Sequence, residues 1–265
     1  MFFTVKIAGN SHQKYTMSTK KAKNVPVICL DEVESTQQTA RAWLQEERIR
    51  KETIIASRFQ KAGKGRGNNT WISEKGKNLL LTWVLFPNFL KPEQQFSLSI
   101  AMSLAVADLV AAYVLGDCIK WPNDIYVGKE KIAGILVEND IQGDRFVSAL
   151  IGIGLNVNQT EFPASLPNPV SLKSITGKTY DMSLLLDQLI TLFRKRYETL
   201  KSGYEKELKE EYTERLYLYN KKTLCQTPEG EMRVRITGID SYGRLLLTNE
   251  KGRTRAYGMG EIMFK

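Results

Sequence analysis

The sequence predicts an α/β chain with antiparallel strand pairs, followed by a small all-β module. Three observations carry that expectation. From Val25 onward, short β-like runs alternate with stretches of helical spacing; the turn signals Gly128-Lys129-Glu130 and Gln142-Gly143-Asp144 separate three strand-like runs as hairpins do; and from about Lys221 the pattern changes to short strands punctuated by glycine turns. Hairpins join antiparallel neighbours, so a doubly wound parallel sheet is disfavoured.

Residues 1–24 hold five lysines and no acid, and the apolar patch Phe2 to Val5 is cut by Lys6, too short for a secretory signal. This reads as a basic, flexible arm, with Met17 as an alternative start. Val25 to Leu30 is a short β-like run, and Asp31 to Glu34 leads into helical spacing with Ala40, Trp43 and Leu44 on one side. Ser35 followed by Gln38 has the capping-box form and marks a helix start. Thr53 to Phe59 and Leu79 to Phe86 read as strands, separated by the polar, glycine-rich segment Gln60 to Lys77. Loops of that length inside compact domains are functional or disordered.

Pro92 to Leu115 reads as one long apolar helix whose alanines Ala101, Ala105, Ala107, Ala111 and Ala112 let another backbone pack closely. Strand-like runs follow at Ile125 to Val127, Ile132 to Glu138 and Phe146 to Ile153. Asp181 to Leu200 spaces Leu185, Leu189, Leu192, Tyr197 and Leu200 helically, and a charged helix covers Tyr204 to Tyr219. A boundary near Asn220 gives domains at 25–220 and 221–265. The second, of about 45 residues, is short for a barrel standing alone and is expected to dock on the first.

The 265 residues are 42% apolar and 25% charged, enough for a sizeable core, and 38 basic against 29 acidic residues leave a formal charge of +9. Polyanions and phosphorylated ligands are the partners such a balance favours. Cys29, Cys118 and Cys225 lie far apart with no CxxC or Cys/His spacing, which argues against a zinc site or disulfide framework and fits a reducing cytoplasm. The single histidine, His12, sits in the peripheral arm, so Ser-His-Asp, Cys-His and HExxH chemistry is disfavoured. Chemistry must therefore run on Lys, Arg, Asp, Asn and backbone amides. The uncharged run Gln94 to Ala107 is shorter than the roughly 20 residues of a membrane span and carries three serines; it reads as a core helix, with no membrane partner expected.

Four segments could carry that chemistry. Gln60-Lys61-Ala62-Gly63-Lys64-Gly65-Arg66-Gly67 sets three glycines around Lys64 and Arg66, the make-up of an anion-binding loop, though neither a Walker A loop nor a GxGxxG turn; the alternative is a mobile surface loop. Lys120-Trp121-Pro122-Asn123-Asp124 forms a stiff platform with polar tips, or simply an Asx turn opening a strand. Lys131 precedes the apolar run Ile132 to Val137 either as a solvated gatekeeper or as a ligand contact, and Gly134 inside that run signals a close approach. Gly152-Ile153-Gly154-Leu155-Asn156-Val157-Asn158 is a bulge or a ligand wall.

In order and spacing these segments resemble the catalytic domain of biotin protein ligases. The matches are Ser35-Thr36 at the family's Ser-Thr-Asn, Gln60 with GKGRG for its glycine-arginine loop, Trp71, KWPND at 120–124, KIAGIL at 131–136 and GIGLN at 152–156. KWPND followed closely by KIAGIL is highly specific, and the resemblance runs from Val25 to Lys265. Three departures stand out: Lys64 replaces an arginine, Asn68-Asn69 replaces a later Gly-Arg, and Gln37 takes the third place of Ser-Thr-Asn. Lys and Arg are not equivalent at bidentate sites.

The resemblance implies an ATP-dependent ligase that makes biotinyl-5′-AMP and pyrophosphate, then transfers biotin to a lysine of a biotin carboxyl carrier protein. By similarity, biotin would contact Ser35, Thr36, Gln37, Gln60, Lys64, Gly65, Arg66, Lys131 and Gly134. The nucleotide would contact Lys64, Arg66, Trp71, Lys120, Asn123 and Asn156, with Lys131, Arg66 and Lys120 catalytic. Asp124 either pairs with a loop cation or holds Mg²⁺. The segment Gln60 to Lys77 is expected to lack order without ligand and to order over the adenylate, excluding water.

The fold that the resemblance implies is a mixed, largely antiparallel α/β sheet with helices mainly on one face, similar to class II aminoacyl-tRNA synthetase cores, plus a small SH3-like C-terminal barrel. Family members use an edge strand for homodimerisation or carrier docking. Larger members carry an N-terminal winged helix and act as repressors; 24 residues are too few for that module, so no operator-specific DNA binding is expected, beyond weak, salt-sensitive contacts by the basic arm. The rivals are a lipoate ligase or octanoyltransferase with the same core architecture, and a basic nucleic-acid-binding protein, whose pattern of interleaved aromatics and cations is faint around Arg233 to Arg255.

Overall fold

The structure, a computed structural model, describes residues 16–17 and 25–264. The basic arm expected over 1–24 lies outside the described residues, apart from the strand β1 (Thr16–Met17). In chain order there follow β2 (Val27–Leu30), α1 (Thr36–Gln45), β3 (Thr53–Ser57), β4 (Gly63–Lys64), β5 (Thr70–Trp71), β6 (Asn78–Leu85), α2 (Ser97–Ala111), β7 (Asp117–Lys120), β8 (Asp124–Val127), β9 (Glu130–Gln142) and β10 (Arg145–Asn156). Then come α3 (Leu172–Thr176), α4 (Met182–Lys201), α5 (Glu205–Glu214) and the strands β11 (Lys222–Thr227), β12 (Gly230–Ile239), β13 (Leu245–Asn249), β14 (Thr254–Tyr257) and β15 (Met263–Phe264).

The main sheet runs β1-β2-β3-β6-β10-β9-β8-β7 and is antiparallel except where β2 lies parallel to β3. All eight residues of β6 are buried, so this central strand is apolar almost throughout instead of alternating. On one face α2 packs against α4, α5 and the strands β7 to β9, its Leu98, Met102, Leu104 and Leu109 almost wholly buried. The 20-residue stretch Pro92–Ala111 is long and apolar enough to cross a bilayer, but its side chains are spent inside the protein. The opposite face carries α1, whose Ala40 and Trp43 cover Ile55, Val84 and Leu150.

Several boundaries differ from the sequence reading for local reasons. The helix expected over Pro92 to Leu115 splits into a 3₁₀ turn at Pro92–Gln94 and α2, because Glu205 of α5 takes hydrogen bonds from both the Gln94 amide (2.6 Å) and the Ser97 hydroxyl and so fixes the break. The Tyr204 to Tyr219 helix stops at Glu214; Leu218 and Asn220 beyond it adopt left-handed backbone. The long β9–β10 hairpin extends both expected strands, and β7 and α3 carry no sequence signal of their own, being only four and five residues long. The segment Gln60 to Lys77 is not devoid of structure: it carries the hairpin β4–β5.

After Lys221 the chain forms a separate five-stranded antiparallel sheet in the order β14-β13-β12-β11-β15. It shares one apolar core with the main domain. The Trp121 indole donates to Gly243 O (2.8 Å), and Gly243 lies so close over the Phe96 ring that an added Cβ would come to 2.2 Å.

A half-buried ion network ties these layers together. Asp108 on α2 accepts from Arg196 of α4 (2.8 Å) and from Arg215 after α5 (2.6 Å), while Arg215 also reaches Asp117 on β7 (2.6 Å). Removing Asp108 leaves Arg196 with Glu211 and Arg215 with Asp117, each short of one half-buried counter-charge. Asp108→Ala is therefore expected to lower the unfolding free energy by about 3 kcal/mol, read as a shifted urea midpoint; an unshifted midpoint would show the network to be ornamental.

Candidate active site

On the α1 side of the sheet the apolar layer stops abruptly. Leu150 is covered by α1, but the next residues of β10 on that face are Gly152 and Gly154, and Gly134 of β9 pairs with Gly154. The bared backbone is the floor of a cavity of about 440 Å³. Two side chains lie directly on it: a Cβ at Gly152 would come to 2.7 Å from Gln37 Oε1, and one at Gly154 to 2.3 Å from the Trp71 indole. Only glycine fits there.

One end of the cavity is the start of α1. Ser35, Thr36 and Gln37 are all buried, and Gln60 Oε1 accepts from Thr36 N (2.8 Å) and Thr36 Oγ1 (3.0 Å). Thr82 Oγ1 donates toward Thr36 Oγ1 (2.9 Å) and Gln37 Oε1 (3.1 Å). The expected capping box does not form: Ser35 occupies the N-cap position, but its hydroxyl makes no cap bond and is buried on the cavity without a partner. A hydroxyl withheld from its helix and left unsatisfied is available to a ligand.

The roof is the β4–β5 hairpin, which brings Lys64, Gly65 and Arg66 over the floor. Its tip closes through Gly65 N to Asn69 O (2.8 Å) and Asn69 N to Arg66 O (3.2 Å), with Gly67 in the left-handed region at φ 63°. Burial lowers the Arg66 pKa while the Asp124 carboxylate opposes that shift, and the guanidinium remains a cation. Both ends of the segment are tied to the Asp31 to Glu34 run: Lys75 pairs with Asp31 (2.7 Å) and Lys61 with Glu32 (2.8 Å). The hydrogen bond from Lys75 holds the Asp31 carboxyl below its ordinary range, and that from Lys61 does the same for Glu32.

At the far end Lys131 Nζ lies 2.7 Å from Asp124 Oδ1 and 5.8 Å from the Trp71 ring centre. Asp124 thus has a cation partner, supplied by β9. Trp71, Asp124 and Lys131 also line a second cavity of about 420 Å³, together with Tyr126, Asn156 and Phe162. Asn123 sits at the first cavity and staples KWPND to β9, donating to Ile135 O (2.6 Å) and accepting from Ile135 N (2.9 Å). Asn156 is buried and donates to Val170 O (3.0 Å).

The structure thus brings together Ser35, Thr36, Gln37, Gln60, Lys64, Gly65, Arg66, Trp71, Asn123, Asp124, Lys131 and Gly134 at the first cavity, and Asn156 at the second. Lys120 lines neither; its ammonium sits on Tyr126, 3.1 Å from the hydroxyl. Two contributors were missed in the sequence. Thr82, which holds Thr36 and Gln37 from beneath the lining, was signalled by a hydroxyl inside the apolar run LLLTWVL, whereas Gly260, brought to the lining by the β14–β15 turn of the second sheet, left no local sign.

Residues 29–156 match the model of the biotin/lipoate A/B protein ligase family. The bifunctional ligase/repressor BirA of Bacillus spizizenii is 32% identical over 238 residues, spanning 87% of this chain and 72% of that protein. The chain belongs to this family. The biotin–[acetyl-CoA-carboxylase] ligase of Paracoccus denitrificans is 30% identical over 216 residues, 75% of this chain and 85% of its own. Among solved structures, the biotin protein ligase of Aquifex aeolicus in complex with biotin and ATP superposes with a TM-score of 0.75 at 26% identity, covering 90% of this chain and 98% of that one. The biotin/lipoate family fold is therefore present over nearly the whole described chain.

Two outcomes follow from the hairpin's anchoring. Gly154→Ala removes the seat of Trp71, and limited proteolysis at neutral pH is expected to cut within residues 60–77 faster than in the parent; an unchanged cleavage rate would mean Trp71 does not hold the hairpin down. Because the Asp31 and Glu32 pKa values are depressed in the folded state, their pairs act fully above the ordinary carboxylate range and are lost as pH falls through the folded values. Cleavage of the same segment by an acid-active protease should accelerate as the pH falls below the ordinary carboxylate range, and Asp31→Asn with Glu32→Gln should reproduce the faster rate at higher pH.

Proposed function

We propose that this chain is a biotin protein ligase. It joins the biotin carboxylate to the α-phosphorus of ATP, releasing pyrophosphate, and then passes the biotinyl group to the lysine amine of a biotin carboxyl carrier protein, releasing AMP. The observation that carries this reading is the junction of the two cavities at Trp71, Asp124 and Lys131. An acid lying over the glycine floor and a nucleotide in the second cavity would meet beside the Lys131 ammonium.

The first step asks little of acid–base chemistry. The biotin carboxylate is already an ionised nucleophile, so alignment with the phosphate and neutralisation of the charge that builds on it carry the catalysis. Lys131, Lys64 and Arg66 supply that charge, with Lys120 assigned to a phosphate oxygen from its seat on Tyr126. Ser35, Thr36, Gln37 and Gln60 hold the ureido ring, whose buried hydrogen bonds would be left unmade by a simple fatty acid. Gly134 walls the apolar tail. Trp71, Asn123 and Asn156 face the nucleotide, and the hairpin shields the mixed anhydride from water.

Magnesium belongs to the nucleotide in this reading. The described residues hold no cluster of three or more His, Cys, Asp or Glu, and Asp124, the one carboxylate lining the two cavities, is engaged by Lys131. That donor set suits an ion delivered on the phosphates and neutralising them, with Asp124 the one carboxylate in the cavity lining that would face it. The large sheet reads as class II synthetase-like and residues 221–265 as an SH3-like barrel, a reading supported by the five-stranded antiparallel order of the second sheet. Three free cysteines support a cytoplasmic setting.

Biotin-dependent ATP–pyrophosphate exchange by the purified protein, with lipoate and octanoate run alongside, tests the assignment. Exchange is expected with biotin alone, and Lys131→Met is expected to lower its kcat about 100-fold. Exchange driven by lipoate or octanoate instead would move the chain to the neighbouring branch of the family.

A further inference from the structure

We infer that Glu138, clamped from the outside by Arg41, is a positioning residue that decides which end of the Gln37 carboxamide faces the ligand. The inference rests on the biotin reading above. Gln37 and Arg41 lie one turn apart on α1, and Glu138 on β9 pairs with Leu150, one step along the same sheet face from Gly152. Glu138 Oε2 accepts from Gln37 Nε2 (2.9 Å) and from Arg41 Nη2 (2.5 Å), and Leu150 O lies 3.3 Å from the same Gln37 nitrogen.

The two ends of a carboxamide have almost the same shape, so only its neighbours tell them apart. Here a carboxylate and a carbonyl face one end. An amide oxygen turned toward them would meet two further oxygens, so that end must be the NH₂ group. Oε1 is thereby turned to the other side, over Gly152 and beside the Thr82 hydroxyl. Thr82 has one hydrogen to share between Gln37 Oε1 and Thr36 Oγ1, which leaves Gln37 Oε1 with acceptor capacity at the cavity. A cyclic urea presents two N–H donors beside its carbonyl, so an acceptor fixed at this point matches a ureido N–H, whereas a flipped amide would oppose it with a second donor.

The test measures the three kinetic constants of exchange, and biotin binding by calorimetry, for the parent, Glu138→Gln, Gln37→Glu and the double variant. Glu138→Gln keeps the shape but lets the amide turn; the biotin KM is expected to rise about five- to tenfold, with kcat and the ATP KM unchanged. Gln37→Glu sets two carboxylates against each other and should bind biotin worse still. In the double variant the new amide donates to the new carboxylate and an oxygen again faces the cavity, so most of the affinity lost in Gln37→Glu should return. A merely structural role would move stability, kcat and the ATP KM together and give no recovery. A biotin KM for Glu138→Gln within about twofold of a biotin-active parent, where a lost hydrogen bond predicts more, overturns this inference alone; a parent that binds no biotin overturns the functional reading and this inference with it.

Discussion

The site exists because three positions on one sheet face carry no side chain. On the α2 side, β9 and β10 present Ala133, Ile135, Ile151, Ile153 and Leu155, all buried in the main core. On the other side Leu150 is the last residue covered by α1; one step along, Gly152 leaves bare backbone, with Gly154 and Gly134 beside it. Glycine inside a strand costs roughly 0.5–1 kcal/mol relative to alanine, and the tightly packed α2 face offsets that. The first turn of α1 sits where the covered and bare parts of the face meet, which is why Ser35, Thr36 and Gln37 serve the cavity and Ala40 and Trp43 serve the core.

The KWPND segment is shared between rigidity and chemistry in the same way. Trp121 and Pro122 point into the scaffold, the indole bonded to Gly243 O and the proline carbonyl accepting from Tyr212 Oη (3.1 Å). Asn123 and Asp124 face the site, one stapled to β9 and the other paired with Lys131. The second sheet therefore holds the platform from behind and also reaches the cavity itself through Gly260. The Asp108 network joins α2, α4, the end of α5 and β7, so the frame behind the cavities is cross-linked as well as packed. The β4–β5 hairpin is held differently: at its ends by exposed ion pairs and by backbone hydrogen bonds such as Ala62 N to Glu34 O (2.9 Å) and Gly76 N to Arg58 O (2.7 Å), and over the floor by the Trp71 indole on glycine.

Much of this was legible in the sequence, and the reasons divide cleanly. Strands and hairpins around Ile125 to Ile153 were visible because turn chemistry and apolar runs are local signals. So were the cation–glycine loop and KWPND, whose residue types are unusual at that spacing. What stayed hidden depends on contacts between distant parts of the chain. Glu205 breaks the expected helix at Phe96 from more than a hundred residues away, and Ser35 has the form of a helix cap yet gives its hydroxyl to the cavity. Lys120 and Lys131 look alike on the page; only the pairing of β7, β8 and β9 separates them, placing one on Tyr126 and the other between two cavities.

Two buried polar atoms at this site, Ser35 Oγ and Trp71 Nε1, have no partner. Each such group costs about 1–3 kcal/mol relative to a satisfied one, a cost that bears on the hairpin's docking as well as on the floor. A ligand that supplies an acceptor or donor at these points gains not only its own contacts but the removal of that penalty. Under the proposed reading, these two atoms are where a bound ligand would complete the protein's own hydrogen bonding. In the proposed reaction, where catalysis rests on alignment and charge, that arrangement would couple ligand recognition to closure of the roof: the hydroxyl assigned to the acid at one end, and the indole at the junction, are the groups whose satisfaction would favour a closed, water-excluding state.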